Sequence, residues 1–188
     1  IVAALPRVAV VSTGDELVDV DEPIEAHQIR SCNDRAIETA ITRHRLGTIT
    51  RAKLPDDERV LLDEIGRLHS EHDALILSGG VSMGQFDFVP AVLERLGVEL
   101  VFHKIEQRPG RPMWFGVTRD GKPVFALPGN PVSTLVCTTR YVLPALRTML
   151  GLAPYRLEHA VLAADVQMPA RLGLFMPVVL ESRADGVL

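Results

Sequence analysis

The sequence of 188 residues has little of what marks several large classes of protein. It contains only two cysteines, Cys32 and Cys137, which lie far apart and have no Cys or His neighbour at ligand spacing. We therefore expect neither a disulfide framework nor a zinc site, and a reducing compartment fits this cysteine usage. No apolar run is long enough to span a membrane, and no basic stretch followed by an apolar one marks a signal peptide. These absences predict a soluble, cytoplasmic protein without a membrane partner.

Positive charge is not concentrated anywhere along the chain. Lys and Arg number 20 against 24 Asp and Glu, which gives a net charge of -4, and the basic residues are scattered. Proteins that bind nucleic acid carry clustered Lys and Arg, so we expect no nucleic-acid partner.

The length bounds the number of domains. With 47% hydrophobic residues, the chain can bury one α/β core of about 150 residues, and the remainder is too short for an ordinary domain. We expect residues 1–150 to form an α/β domain and residues 151–188 to begin an all-β domain. The sequence starts at Ile1 and stops just after Asp185 and Gly186, which predict a turn between strands, so we expect a piece of a longer protein.

Short apolar runs alternate with helical repeats in the first half of the chain. The strands are predicted over residues 7–12, 48–53 and 74–78. Asn33 is a good N-cap and Gly47 is well placed to end the first helix, while residues 55–57 start the second. This alternation is typical of parallel strands covered by helices on both faces, a three-layer α/β/α domain.

The second half departs from strict alternation. A fourth strand is predicted over residues 98–103, and a β-hairpin over 113–118 and 123–127, so the sheet is mostly parallel but mixed. Asn130 and Pro131 predict the start of a long helix, which Pro144 should kink or end. Beyond a linker at 151–154, strands are predicted over 158–167 and 175–182.

A glycine-rich loop follows the third predicted strand. Three glycines let its backbone N–H groups approach an anion closely, two hydroxyls can donate to that anion, and Asp87 can hold a metal. The loop suits a phosphorylated ligand with a divalent cation, although it fits neither a P-loop nor a dinucleotide fingerprint. The alternative is an ordinary strand-to-helix turn in which Asp87 is only the N-cap. The sequence of the loop is Ser78-Gly79-Gly80-Val81-Ser82-Met83-Gly84-Gln85-Phe86-Asp87.

Three further loops of unusual composition lie at predicted strand ends or helix starts. Residues 13–16 supply carboxylates, residues 108–112 hold two guanidinium groups around a rigid turn, and residues 127–131 with Ser133 offer helix N–H groups and a hydroxyl to an anion. Each has a plainer alternative: a solvated acidic loop, surface arginines beside a turn, and a capped helix and no more. Because four such loops rarely coincide by chance, we expect them to share one anion-binding cleft.

These four loops resemble landmarks of the MoeA and gephyrin family, the molybdopterin molybdenumtransferases. The resemblance covers about residues 7 to 150 and implies a MogA-like molybdopterin-binding fold, with residues 151–188 similar to the beginning of the family's C-terminal domain. The landmarks, in the family's order, are Thr13-Gly14-Asp15-Glu16-Leu17, Ser78-Gly79-Gly80-Val81-Ser82-Met83-Gly84 with Asp87-Phe88, Arg108-Pro109-Gly110-Arg111-Pro112, and Leu127-Pro128-Gly129-Asn130-Pro131-Val132-Ser133.

The resemblance also implies a chemistry. Adenylated molybdopterin enters with Mg²⁺, its pyrophosphate bond is hydrolysed, and molybdate is transferred to the dithiolene with release of AMP. Asp87 and Asp15 are the implied catalytic residues and Mg²⁺ ligands. The implied substrate-binding residues are Thr13, Gly14, Glu16, Asn33, Ser78, Gly79, Gly80, Val81, Ser82, Gly84, Arg108, Pro109, Gly110, Arg111, Pro128, Gly129, Asn130, Pro131 and Ser133.

The implied partners are a second copy of the chain and the molybdopterin adenylyltransferase of the same pathway. The resemblance implies that an N-terminal domain, absent from this sequence, completes the cleft from the partner subunit.

The chain departs from the family's pattern in two short segments. Arg108 and Arg111 stand where the family typically has lysines, and Ser31-Cys32-Asn33 replaces the more usual Asp-Ser/Thr-Asn. Two other functions stay open. One is a non-catalytic dimerisation or scaffold module of the same fold, which an apolar patch on the helix from Pro131 would favour. The other is a related enzyme that processes a different nucleotide pyrophosphate.

Overall fold

The computed structural model describes residues 4–81, 88–156, 159–167 and 171–181. Within these ranges no helix is both long enough and apolar enough to cross a bilayer. The elements, in chain order, are β1 (Arg7–Thr13), β2 (Leu17–Val18), β3 (Ile29–Arg30), α1 (Asn33–Arg43), β4 (Thr48–Leu54), α2 (Glu58–Glu71), β5 (Ala74–Ser78), α3 (Val89–Arg95), β6 (Glu99–His103), β7 (Gln107–Arg108), β8 (Trp114–Val117), β9 (Pro123–Leu127), α4 (Pro131–Cys137), a π-helical segment (Thr138–Val142), α5 (Leu143–Met149) and β10 (Gly173–Leu174).

The central sheet has the strand order β4-β1-β5-β9-β8-β6. Strands β4, β1, β5 and β9 are parallel, whereas β8 runs antiparallel to both β9 and β6. The predicted hairpin and the mixed, mostly parallel sheet are thereby confirmed. Since the parallel strands all end at one edge, the loops after β1, β5 and β9 are brought close together.

Two apolar clusters cover the two faces of this sheet. Successive residues of β1 alternate between them, with Val8 and Val10 on one face and Ala9 and Val11 on the other. Helices α1, α4 and α5 pack on the first face, and α2 and α3 pack on the second. The predicted three-layer arrangement is therefore present, and it holds the strand ends in a fixed framework.

The predicted helix starts are right for two helices and wrong for one. Asp57 caps α2 by accepting from the Val60 N–H, and Asn130 caps α4. Helix α1, however, begins at Asn33 itself, and Cys32 in the N-cap position makes no side-chain capping bond. The Asn33 side chain is used elsewhere, in a contact between loops described below.

The end of α1 also differs from the prediction. The helix ends at Arg43, and Arg45 takes the left-handed conformation with φ 54° that Gly47 was expected to supply. Gly47 has another reason to be glycine, because a Cβ there would lie 2.9 Å from the Pro6 carbonyl oxygen. Close backbone approach, rather than helix termination, therefore requires this residue.

The helix after β9 does not end at Pro144. It runs from α4 through the π-helical segment into α5, with Pro144 in the first turn of α5. Proline has no backbone N–H to donate inside an α-helix. The π-helical turn just before Pro144 changes the hydrogen-bonding pattern at this point, so the chain continues as a helix despite the missing donor.

The predicted C-terminal strands are wrong for the residues that the structure describes. Residues 159–167 and 175–181 are not strands, and in this region the two-residue strand β10 pairs in parallel with β7. Most of these residues are exposed, including the large apolar side chains of Val161, Leu162 and Val179. Alternating apolar residues form a strand only where a neighbouring strand takes up their backbone hydrogen bonds, and the described chain provides such a neighbour only at β7.

Candidate ligand-binding cleft

A cleft of about 600 Å³ lies at the carboxyl edge of the parallel strands. The ends of β1 and β5 contribute to it, together with the loop before α4 and the start of α1. It is lined by Ser12, Thr13, Glu16, Leu17, Ile29, Arg30, Ser31, Cys32, Asn33, Asp56, Ser78, Gly79, Gly80, Gly129 and Pro131. This position is where open α/β sheets bind ligands.

Glycines bring the loops of the cleft into direct contact. Gly79 has φ 99°, and a Cβ on it would lie 2.6 Å from the Thr13 carbonyl oxygen. Its N–H donates to the Leu127 carbonyl oxygen at 3.2 Å, so the loop after β5 is tied to the end of β9. Gly80 also has a positive φ, of 64°, and a Cβ there would meet the Val89 side chain at 2.7 Å. The two glycines expose main chain to the cleft at positions where larger residues do not fit.

Asn33 joins three of the loops through one amide group. Its Nδ2 donates to Ser78 Oγ and to the Gly129 carbonyl oxygen, both at 2.8 Å. The start of α1 is thus fixed against the end of β5 and against the loop before α4. The sequence placed Asn33 in the site but gave it the role of a helix cap, which the structure corrects.

Two buried hydroxyls of the lining have no hydrogen-bond partner in the described chain. Ser12 is 1% exposed and Thr13 is 4% exposed, and neither Ser12 Oγ nor Thr13 Oγ1 has such a partner. Buried hydroxyls are nearly always paired, so an unpaired hydroxyl in a cleft wall indicates a bond that a ligand or water supplies. Ser12 was not among the predicted site residues, since its place inside a buried strand gave no signal of function.

The start of α1 adds donors to the same wall. Cys32 makes no side-chain cap, and the Ser31 hydroxyl donates to Asp34 Oδ1 at 2.9 Å instead of serving the helix end. The N–H groups of the first turn have no partner within the helix, and the helix dipole favours negative charge beside them. Ser31 and Cys32 were also missed as lining residues, because they precede the predicted helix.

The guanidinium group of Arg30, which lies in the cleft wall, is held by main-chain oxygens. Arg30 Nη1 donates to the carbonyl oxygens of Asp19 and Glu22. Asp19 in turn pairs with Arg35 at 2.6 Å, and this hydrogen bond lowers the pKa of the Asp19 carboxyl. The donors that face the cleft are therefore mainly hydroxyls and backbone N–H groups.

The structure brings eight of the predicted site residues to the cleft wall. They are Thr13, Glu16, Asn33, Ser78, Gly79, Gly80, Gly129 and Pro131. Beside them, in the same loops but outside the wall, lie Gly14, Asp15, Val81, Pro128, Asn130 and Ser133. Ser82, Gly84 and Asp87 are outside the described residues. The lining residues that the sequence did not predict are Ser12, Leu17, Ile29, Arg30, Ser31, Cys32 and Asp56.

The helix N–H groups expected at α4 are not free. Asn130 Oδ1 accepts from the N–H groups of Val132 and Ser133, both at 3.1 Å, and the Ser133 hydroxyl donates to the same oxygen at 3.4 Å. Ser133 is also buried. The prediction of open donors is therefore wrong for these two N–H groups, because a well-placed cap already satisfies them.

The turn with Arg108 and Arg111 does not line the cleft. Gly110 packs on the Cys137 side chain, at the end of α4 opposite to Pro131, about 9 Å away along the helix axis. Both arginines are exposed, and neither forms an ion pair with a described carboxylate. Gln107, which precedes the turn, contacts Cys137 and Tyr141, and the convergence of this turn with the other three loops on one site stays a prediction.

The described residues do not assemble a metal site by themselves. No group of three or more His, Cys, Asp or Glu side chains that would hold an ion is found among them. Asp15 is exposed, and its Oδ1 accepts from the Asp56 N–H at 3.1 Å. The proposed second ligand, Asp87, is outside the described residues.

Comparison with known proteins agrees with this architecture. A molybdopterin molybdenumtransferase from Synechocystis is 35% identical over 184 residues, which is 97% of this chain and 45% of that protein. The crystal structure of a molybdopterin biosynthesis MoeA protein from Pyrococcus horikoshii superposes with a TM-score of 0.69 at 37% identity, over 78% of this chain and 36% of that one. MoaB from Pyrococcus furiosus, at 14% identity and a TM-score of 0.56, shares the fold alone.

The family resemblance seen in the loops is confirmed by these similarities. The chain spans less than half the length of the curated relative from Synechocystis that it matches. The family profile described as "Probable molybdopterin binding domain" matches residues 9–148, which is most of the chain. The chain therefore belongs to this family of molybdopterin-binding domains.

Proposed function

We propose that the chain is the substrate-binding domain of a molybdopterin molybdenumtransferase and acts in molybdenum cofactor biosynthesis in the cytoplasm. The observation that carries this proposal is the cleft wall of unpaired hydroxyls and exposed glycine main chain at the carboxyl edge of the sheet. Such a wall recognises a phosphorylated ligand by hydrogen bonds from neutral donors. The relatives are named molybdopterin molybdenumtransferases, and adenylated molybdopterin is a phosphorylated form of the pterin in that name, so we propose it as the ligand.

The residues of the wall have separate tasks in this proposal. The hydroxyls of Ser12 and Thr13 donate to oxygens of the pyrophosphate, and the main chain at Gly79 and Gly80 allows those oxygens to approach closely. The open first turn of α1 favours their negative charge. Asn33 touches no ligand atom in this scheme and keeps the three loops at fixed separation. The domain thus orients the bond that is to be cleaved.

Molybdate is assigned to the exposed turn at Arg108 and Arg111. Two guanidinium groups without a carboxylate partner in the described chain suit a tetrahedral dianion, which each can bind through two N–H groups. Since this turn is not part of the cleft lining, molybdate capture and phosphate binding are assigned to different residues. The complete reaction, with AMP release and a cleft completed by a second subunit, is proposed for the longer protein.

Mg²⁺ stays a prediction that rests on Asp15 and Asp87. The described residues offer separate carboxylates rather than a cluster, and Mg²⁺ in phosphate sites is generally bound by one or two carboxylates together with the phosphate oxygens. When bound, Mg²⁺ would supply neutralisation of phosphate charge. Titration calorimetry of Asp87→Asn with ADP and Mg²⁺ tests the prediction, and an affinity equal to that of the original chain would remove Asp87 from the site.

The binding proposal is tested with two matched variants. Thr13→Val removes an unpaired buried hydroxyl in the cleft, while Thr138→Val removes an equally buried and unpaired hydroxyl in the π-helical segment. We expect Thr13→Val to weaken ADP binding by about tenfold, the value of one hydrogen bond to a charged group, and Thr138→Val to leave it unchanged. Equal affinities in calorimetry would contradict the proposed role of the cleft.

A second candidate function is an assembly module of the same fold. Val132 is 58% exposed and Leu135 is 47% exposed on α4, beside a groove of about 950 Å³ that Phe175 also lines. Apolar side chains exposed together are typical of an interaction surface, and a second copy of the chain is the simplest occupant. Light scattering of Leu135→Glu distinguishes this function, since an assembly module then becomes monomeric while ADP binding is unaffected.

A further inference from the structure

Cys32 is an exposed thiol inside the wall of the cleft. It lies at the N-cap of α1, and its Sγ donates to Asn33 Oδ1 at 3.7 Å. Asn33 is the residue that joins the three loops. The thiol is therefore next to the contacts that hold the cleft together, and it is open to a solute that enters.

The same wall carries independent signs of ligand binding. Ser12 Oγ and Thr13 Oγ1 are buried and without a partner in the described chain, and both residues line the cleft with Cys32. A molecule that enters to satisfy these hydroxyls comes into the space that the thiol faces. Small anionic solutes with several acceptor oxygens match that requirement.

The other cysteine provides an internal reference. Cys137 is buried, and burial raises the pKa of its thiol to about 11. At pH 8 such a thiol is about 0.1% ionised, and the ionised form is the nucleophile. Its Sγ also packs against Gly110 and Gln107. Cys137 is thus closed to solutes and slow to react.

We propose that Cys32 is a site of reversible thiol modification within the cleft, with a low-molecular-weight disulfide that carries carboxylates as its reactant. The Cys32 thiolate attacks one sulfur of that disulfide, a bond forms to Cys32 Sγ, and the original S–S bond breaks. The second half leaves as a thiol, taking up the proton that Cys32 lost. The attached half fills the cleft beside Gly79 and Gly80, and reduction by a free thiol releases it.

The inference stands on the position of the thiol and not on the identity of the natural ligand. It is tested by treating the chain with oxidised glutathione at pH 8 and measuring intact mass. We expect one glutathione per chain, on Cys32, retained in Cys137→Ala and absent from Cys32→Ser. Amide hydrogen exchange of the adduct should slow at residues 74–81 and stay unchanged in α2.

Three results would overturn the inference: no adduct, an adduct on Cys137, or an adduct on Cys32 that leaves exchange at residues 74–81 unaltered. Calorimetry with ADP on the unmodified chain tests the proposed function separately from the modification of Cys32. A chain that forms the Cys32 adduct but does not bind ADP keeps the inference and refutes the proposed function. A chain that binds ADP but forms no adduct does the reverse.

Discussion

Replacement of Asn33 by alanine is expected to loosen the cleft while the core stays intact. The variant loses the two hydrogen bonds of 2.8 Å from Nδ2 to Ser78 Oγ and to the Gly129 carbonyl oxygen. Each is worth about 0.5–1.5 kcal/mol, so the free energy of unfolding should fall by about 1–3 kcal/mol. Because the loops also lose their fixed separation, ADP affinity should fall by about tenfold, which corresponds to about 1.4 kcal/mol.

A control variant of similar stability separates the two effects. Asp57→Ala removes the cap of α2, whose side chain accepts from the Val60 N–H at 2.9 Å and does not line the cleft. That loss costs about 0.5–2 kcal/mol of stability. Urea unfolding followed by fluorescence of the buried Trp114 gives both stabilities, and calorimetry gives both ADP affinities. If Asn33→Ala binds ADP as tightly as Asp57→Ala, the proposed role of Asn33 in the cleft is refuted.

Three further outcomes are expected. In urea unfolding, Gly79→Ala should lower the free energy of unfolding by about 1–3 kcal/mol more than Gly121→Ala does. Both glycines have positive φ, but only at Gly79 would the added Cβ meet another atom, the Thr13 carbonyl oxygen. Equal losses in the two variants would contradict this. Because the pKa of Cys137 is raised in the folded chain, the folded thiol keeps its proton while the unfolded thiol loses it above about pH 8.5. The free energy of unfolding should therefore fall by about 1–2 kcal/mol between pH 8 and 10, and this fall should be absent from Cys137→Ala. The same pH dependence of unfolding in both proteins would contradict this. Arg111→Ala should weaken molybdate binding in calorimetry without changing ADP binding, whereas Arg119→Ala in the hairpin turn should change neither; unaltered molybdate affinity in Arg111→Ala would remove the turn from oxyanion capture.

Local patterns predicted most of the fold. The apolar runs at β1, β4 and β5, the cap at Asp57 and the Asn130-Pro131 helix start depend on residues close together in sequence, and the structure has them as expected. The C-terminal strands failed because strand formation depends on a partner strand, which local sequence does not reveal.

The candidate site was predicted less completely, for a related reason. Glycine and acidic loops stand out in the sequence, but Ser12 and Cys32 lie among ordinary strand and helix-cap residues, and only the packing of β1 against α1 places them in the cleft. Arg108 and Arg111 stand out in the sequence as well, but no local pattern indicated that Gly110 would pack on Cys137 and leave this turn out of the cleft lining.

The assignment of phosphate binding to the carboxyl-edge cleft is the central claim, and residue-resolved NMR tests it most directly. In a titration of the ¹⁵N-labelled chain with ADP, we predict that the largest amide shift changes occur at Thr13, Gly79, Gly80 and the first turn of α1. Changes centred on residues 108–112, or on the groove beside Val132 and Leu135, with the cleft amides unchanged, would contradict the account.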